Sequence, residues 1–267
     1  MISFNNIGNL GRLANQMFQY ASLKGIASNR GFDFCIPPEE VFGRNDLLVR
    51  GDELNLYKVF PQVKNNNIDI IVNQVLQERT HQFDEDLFNN CPDNIDLFGY
   101  YQTHKYFSHI EEEIRKDFTF IPEVLDTCME FFHTNFDNQK VISLHIRRGD
   151  YLHNPNHPTQ SLEYYKSALD LLPNNLPVIV FSDDSNWCSQ QELFDPDRFF
   201  ISQDSSADAD LCMMSLCDYH IIANSSFSWW GSWLAKSERT IAPKNWFGGD
   251  CIDKSVVDME FGDWTWL

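Results

Sequence analysis

Basic residues are scarce in this chain. Lysine and arginine number 20 against 39 aspartates and glutamates, a formal net charge of −19 over 267 residues. A nucleic-acid binder needs a basic footprint to displace counterions from phosphates, and docking on anionic lipid needs a polybasic surface. Both classes are disfavoured. Metal-type spacing is lacking too. The seven cysteines are scattered, with no C-x-x-C pair, which reads as reduced, buried thiols. His81, His104, His133, His153 and His157 have no spacing that suggests a metal site or a triad. There is no G-x-G-x-x-G fingerprint, no Walker loop, no G-x-S-x-G and no H-E-x-x-H. No apolar run approaches the ~20 residues that span a bilayer. The opening Met1–Asn6 has neither the basic nor the apolar region of a secretory signal. The expectation is a soluble, cytoplasmic protein with no nucleic-acid partner, no integral membrane segment and no bound metal.

What is present is apolar and aromatic. At 43% hydrophobic and 14% aromatic, the chain can bury a sizeable core. Short apolar runs alternate with helix-length segments, as in α/β folds. Leu13, Met17, Tyr20, Leu23 and Ala27 recur at helical steps within 12–28, and Gly31 follows as a stop. Strands are predicted at 32–36 and 95–101, and helices at 105–116 and from Pro122 to about 132. The segment 37–95 is less regular, with a polar turn at 65–67 and an apolar run at 68–77 that fits strand or helix. The polar stretch 135–140 is the best linker, giving domains 1–135 and 136–267. Beyond it the βα alternation sharpens. Strands are expected at 141–146, 177–181, within 193–201, at 219–223 and at 240–242, with helices at 161–172, 207–217 and 227–236. The second half therefore reads as a Rossmann-like sheet.

Four segments carry polar chemistry at element ends. His145-Ile146-Arg147-Arg148-Gly149-Asp150-Tyr151 follows a buried strand. Two adjacent arginines there cannot both enter the core unpaired. One can face an anionic ligand, for which the planar guanidinium fork suits a diphosphate, while the other pairs with a carboxylate such as Asp150. The competing reading is a surface ion-pair corner. Gly8–Tyr20 runs a glycine-bearing loop into a helix and puts Asn15 and Gln16 in its first turn, within reach of a cleft, either as an anion-friendly terminus or as a plain capped helix. Phe181-Ser182-Asp183-Asp184 ends a strand with two acids. These can accept from a purine edge or ribose, bind a metal, or cap the following helix. Asn224-Ser225-Ser226-Phe227-Ser228-Trp229-Trp230 opens a helix with small hydroxyls and offers a second phosphate cradle. Its tryptophans either stack on sugar or base, or fill the core.

Together these segments resemble the α-1,2-fucosyltransferase family, glycosyltransferase family 11. The resemblance rests on Gly11–Tyr20, His145–Tyr151, Phe181–Asp184, Asn224–Trp230 and the closing Ala242–Phe247, which occur in the family's order. Arg12 and Ala14 stand where many members have glycine, and 37–95 matches nothing in the pattern. The double-arginine segment is shared with α-1,6- and protein O-fucosyltransferases, whereas the N-terminal and tryptophan-rich segments point to the α-1,2 group. The resemblance implies an α/β GT-B-like enzyme, two Rossmann-like domains facing a cleft. It implies inverting, metal-independent transfer of L-fucose from GDP-β-L-fucose to the 2-hydroxyl of a galactoside, with no cofactor. By that analogy Arg147 binds the β-phosphate and assists departure of GDP. His145 and one of Asp183 and Asp184 contact guanine or ribose, and Arg148 is held by a carboxylate within the donor site. Asn224, Ser225, Ser226 and Phe227 line the phosphate cradle, Arg12 and Asn15 approach fucose, and Asp150 is the candidate base. The alternatives are a fucosyltransferase of other linkage, α-1,6 or protein O-linked, and a non-catalytic nucleotide-sugar or glycan-binding protein.

Overall fold

The computed structural model describes residues 1–38, 55–64, 74–252 and 254–267. The turn expected at 65–67 and most of the apolar run after it lie outside the described residues. The chain divides into two compact units, Met1–Ile121 with Ser255–Met259, and Pro122–Lys254 with Glu260–Leu267. The sequence reading placed the boundary at 135/136. The helix α5 (Pro122–Phe136) instead belongs to the second unit, because its apolar side supplies Phe136 to that unit's core. The polar stretch after it is a turn within that unit, where Asp137 and Asn138 take positive φ.

The first unit is built on β1 (Ile2–Ser3), β2 (Phe34–Cys35), β3 (Val75–Gln77) and β4 (Ile95–Phe98), all parallel in the order β2-β1-β4-β3. α1 (Leu13–Arg30) covers the sheet and ends on Gly31 in the left-handed region. Its Met17, Phe18, Tyr20 and Leu23 are wholly buried. So are Gln19 and Ser22, which donate to the carbonyls of Leu10 and Gly99 and of Tyr101 respectively. Two short helices, α2 (Leu56–Val59) and α3 (Glu85–Asn90), follow. The single helix expected at 105–116 is two 3₁₀ turns, His104–Tyr106 and Ser108–Ile110, before α4 (Glu111–Asp117). Thr103 caps the first turn at the Lys105 N–H, and this tighter winding buries Tyr106, Phe107 and Ile110 together. The returning segment Ser255–Met259 completes the unit. The Asp258 carbonyl accepts from Thr103 Oγ1 (2.8 Å), and its carboxylate accepts from the Phe83 N–H (2.7 Å) and pairs with Lys105.

The second unit carries β5 (Ile142–Ile146), β6 (Val178–Ser182), β7 (Phe199–Ile201), β8 (Tyr219–Ile221), β9 (Arg239–Ala242) and β10 (Trp264–Trp266). They form one parallel sheet in the order β10-β9-β8-β5-β6-β7. Both faces are covered, which is why β5 and β6 read as near-continuous apolar runs. Ile142, Leu144, Val178 and Val180 pack with Tyr165, Ala168 and Leu169 of α6 (Leu162–Leu169). Ile179 and Phe181 pack on the opposite face with Phe136 and with Met214 of α8 (Ala207–Ser215). Between β6 and β7 lies the one-turn α7 (Ser185–Cys188), and between β8 and β9 lies α9 (Ser226–Ala235). The tryptophans of α9 are core: Trp229, Trp230 and Trp233 are at most 2% exposed. The reading in which they stack on a ligand is therefore set aside.

Candidate functional site

In the second unit the strands run outward from β5 through β6 and β7 on one side, and from β8 through β9 and β10 on the other. The order reverses between β5 and β8. In open parallel sheets the loops leaving the carboxyl ends at such a reversal frame the ligand crevice. Here those loops carry Arg147–Tyr151 and Ala223–Ser225, two of the four segments singled out in the sequence.

Arg147 and Arg148 divide their contacts differently from the sequence expectation. Asp150 pairs with Arg147, at 2.5 Å from Nη2, rather than with Arg148. Arg147 Nη1 lies 2.9 Å from Asp183 Oδ2. The turn through Gly149 folds Asp150 back toward the arginine three residues before it, which puts the pair on one side of the loop. Arg148 reaches the other acid: its Nε donates to Asp184 Oδ2 at 3.1 Å, while its backbone N–H donates to Asp183 Oδ1 at 2.9 Å. The two acids also have distinct local tasks. Asp184 caps α7 by accepting from the Trp187 N–H (3.2 Å), and the contacts of Asp183 among the described residues are with the two arginines. Gly149 leaves room for this arrangement: a Cβ there would stand 2.4 Å from Asp183 Oδ2, which would have to move. Trp187, which the sequence reading did not select, places its ring 3.8 Å from the Arg148 guanidinium carbon. The signal was available: an acid that caps a helix holds the N–H three residues on, and that residue is a tryptophan.

Across the reversal, His145 on β5 is buried and its Nδ1 lies 2.9 Å from Ser228 Oγ on α9. Burial, and secondarily the Arg147 charge, hold its imidazole down to about 3. It is therefore a neutral hydrogen-bonding group at ordinary pH. The Phe227 ring lies 5.8 Å away. Tyr151 Oη donates to the Asn224 carbonyl (3.1 Å), tying the β5 loop to the β8 loop. Asn224 itself is 2% exposed. Its amide donates to the carbonyls of Pro158 and Trp246, and its side-chain oxygen accepts from Gln160. The sequence reading gave Asn224 a place on the ligand; the structure uses its side chain to knot three loops, and buried amides need such partners. Ser225 is the N-cap of α9, accepting from the Phe227 N–H. Ser226 and Phe227 are half-buried in the first turn, where helix N–H groups favour an anion.

In the first unit β1 and β4 are the two central, neighbouring strands. The loop leaving β1 passes through Gly8 and Gly11, both at positive φ, to Arg12 at the N-cap of α1. A Cβ on Gly11 would overlap the Asn15 side chain. Asn15 Oδ1 accepts from Gln102 Nε2 (2.7 Å) in the loop after β4. Arg12 is exposed. Both residues thus follow the carboxyl end of β1, and Asn15 is tied to the segment that leaves β4. Among the described residues no three His, Cys, Asp or Glu cluster to hold a metal ion, and no helix is long and apolar enough to cross a membrane.

Comparison with known proteins bears on this arrangement. An alpha-1,2-colitosyltransferase of Escherichia coli is 33% identical over 89% of this chain and 90% of its own length. A galactoside alpha-(1,2)-fucosyltransferase 2 of Bos taurus is 25% identical over 87% of this chain and 69% of its own. Among solved structures, POFUT1 in complex with GDP superposes with a TM-score of 0.56 over 88% of this chain and 94% of that one, at 11% identity. The NodZ alpha-1,6-fucosyltransferase soaked with GDP-fucose gives 0.52 over 93% and 96%, at 14% identity. These structural likenesses establish the fold, an α/β GT-B-like class with parallel sheets. The family model described as glycosyl transferase family 11 matches residues 1–265. The chain therefore belongs to glycosyltransferase family 11.

Proposed function

We propose that this glycosyltransferase moves L-fucose from GDP-β-L-fucose to the 2-hydroxyl of a terminal galactoside, with inversion. The observation that carries the reading is the Arg147 fork at the sheet reversal of a chain otherwise poor in positive charge, held between Asp150 and Asp183. A diphosphate entering the crevice exchanges for these carboxylates on the same nitrogens. The bond from fucose C1 to the β-phosphate oxygen breaks, and Arg147 stabilises the charge that develops on the departing GDP. The galactose 2-oxygen bonds to C1 from the opposite face. Its proton passes to Asp150, whose side chain is 59% exposed and beside Arg147. His145 and Asp183 meet the nucleoside, and the first turn of α9 meets phosphate. The arginine takes the part that a divalent cation plays in other transferases, so no metal is required.

The test is incubation with GDP-fucose and lactose or N-acetyllactosamine, reading product mass and linkage. Formation of the α-1,2 product supports the reading. An α-1,6 linkage, transfer only to protein, or GDP binding without turnover refutes it. The 33% identical relative favours one second reading, that the donor sugar is colitose, the 3-deoxy form of L-fucose. Competing GDP-fucose against GDP-colitose decides between them by the ratio of kcat/KM values.

A further inference from the structure

Arg148 is held more completely than an ion-paired surface arginine. Its backbone N–H is bound by Asp183, its Nε by Asp184, and its guanidinium carbon lies over the Trp187 ring, 3.8 Å from the centroid. One carboxylate sets both halves of the stack: Asp184 Oδ1 accepts from the Trp187 N–H while Oδ2 accepts from Arg148 Nε. Trp187 is fixed from behind as well, its carbonyl accepting from Gln191 Nε2 at 2.8 Å. These contacts occupy the inner edge and one face of the guanidinium. Among the described residues no hydrogen bond is made by Nη1 or Nη2. A planar fork with both terminal nitrogens open, already immobilised, matches two oxygens of a phosphate group.

We propose that Trp187 is a positioning residue for the donor: by stacking on Arg148 it fixes that arginine as a second grip on the nucleotide diphosphate, on the phosphate farther from the sugar. The inference rests on the proposed use of a GDP-linked donor. Arg148 touches a group whose charge does not change as the sugar leaves, so its contribution is uniform binding and belongs in KM rather than kcat. A side chain that only fills space beside the apolar core, against which Trp187 also packs, has no reason to show that split.

The experiment compares wild type with Trp187→Phe, Trp187→Leu, Arg148→Ala and the Arg148→Ala/Trp187→Leu double variant. Donor KM, kcat, GDP affinity by calorimetry and Tm are measured for each. Loss of the ring face in Trp187→Leu is expected to raise donor KM about five- to twentyfold, with kcat nearly unchanged. Trp187→Phe keeps an aromatic face and recovers most of the affinity. On the Arg148→Ala background, Trp187→Leu adds nothing, as coupling through one contact demands. The proposal is overturned if Trp187→Leu leaves donor KM unchanged, lowers kcat instead, or weakens the donor equally when Arg148 is absent. If Trp187→Leu does not fold, Trp187→Phe against Arg148→Ala still decides, because a Phe variant with the full Arg148→Ala defect contradicts aromatic stacking. Failure of the wild type to bind GDP removes the donor reading itself, whereas GDP binding that is indifferent to Trp187 removes only the positioning role.

Discussion

Gly149 shows how tightly the arginine corner is drawn. Its missing side chain lets Asp183 close on Arg147 and on the Arg148 N–H together. Gly149→Ala is therefore expected to push Asp183 off both arginines and raise donor KM, with little change in Tm because the loop is exposed. Kinetics beside a melting curve checks this. Arg147→Ala removes the charge that meets the leaving group. It is expected to lower kcat/KM by at least about 10²-fold while the far-ultraviolet circular dichroism stays that of the wild type. If the guanidinium stands in for a cation, transfer proceeds undiminished in EDTA, and a strict requirement for Mg²⁺ or Mn²⁺ would contradict the arginine's proposed task. At this scale the sequence was informative about which residues gather and less so about who holds whom. Adjacent arginines and adjacent aspartates admit several pairings. Only the turn at Gly149 and the capping of α7 assign Asp150 to Arg147 and Asp184 to Arg148.

At the scale of the element, α9 is a polar first turn mounted on an aromatic anchor. Trp229 and Trp230 are wholly buried, their rings 4.9 Å apart in edge-to-face contact. Trp230→Ala is expected to cost about 3–5 kcal/mol, read as a lower urea midpoint. Strand β8 adds a pH dependence. His220 is buried between Ser237 Oγ and the Met214 carbonyl, and burial lowers it from its ordinary 6.5 to about 4. The unfolded chain then binds the extra proton first as pH falls, so its contribution to stability is whole above the ordinary value and is lost from there down to about 4. Tm is expected to decline across that window and to decline less in His220→Gln; a parallel decline in both would contradict the assignment. Most of these elements were legible. Buried parallel strands announce themselves as apolar runs, and helices ended by Gly31 or begun by Ser161 and Ser206 carry their caps in sequence. The strand β10 was not legible: three half-buried residues, Trp264–Trp266, become a strand only because β9 offers them an edge. The helix at 105–116 was misjudged because its periodicity did not register the tighter 3₁₀ winding that buries Tyr106 and Phe107.

For the whole molecule, the unit boundary was the least legible feature. A polar stretch marks a linker only when contacts do not cross it, and α5 packs across it. Nor does sequence order show that Ser255–Met259 returns to the first unit while Glu260–Leu267 goes back to the second. A chain stopped after Lys254 is expected to lose both the Asp258 contacts with Phe83, Thr103 and Lys105 and the edge strand β10, and to melt well below the full chain by calorimetry. Asp258→Ala removes the carboxylate contacts with Phe83 and Lys105 alone, leaving the backbone carbonyl on Thr103 and β10 in place. That return segment bears on biosynthesis. Neither unit holds all its residues until the stretch after Lys254 has left the ribosome, so neither can be completed before that stretch emerges. An early stop in this stretch damages both units at once, and a fragment cut at Ile121 is not a ready-made domain.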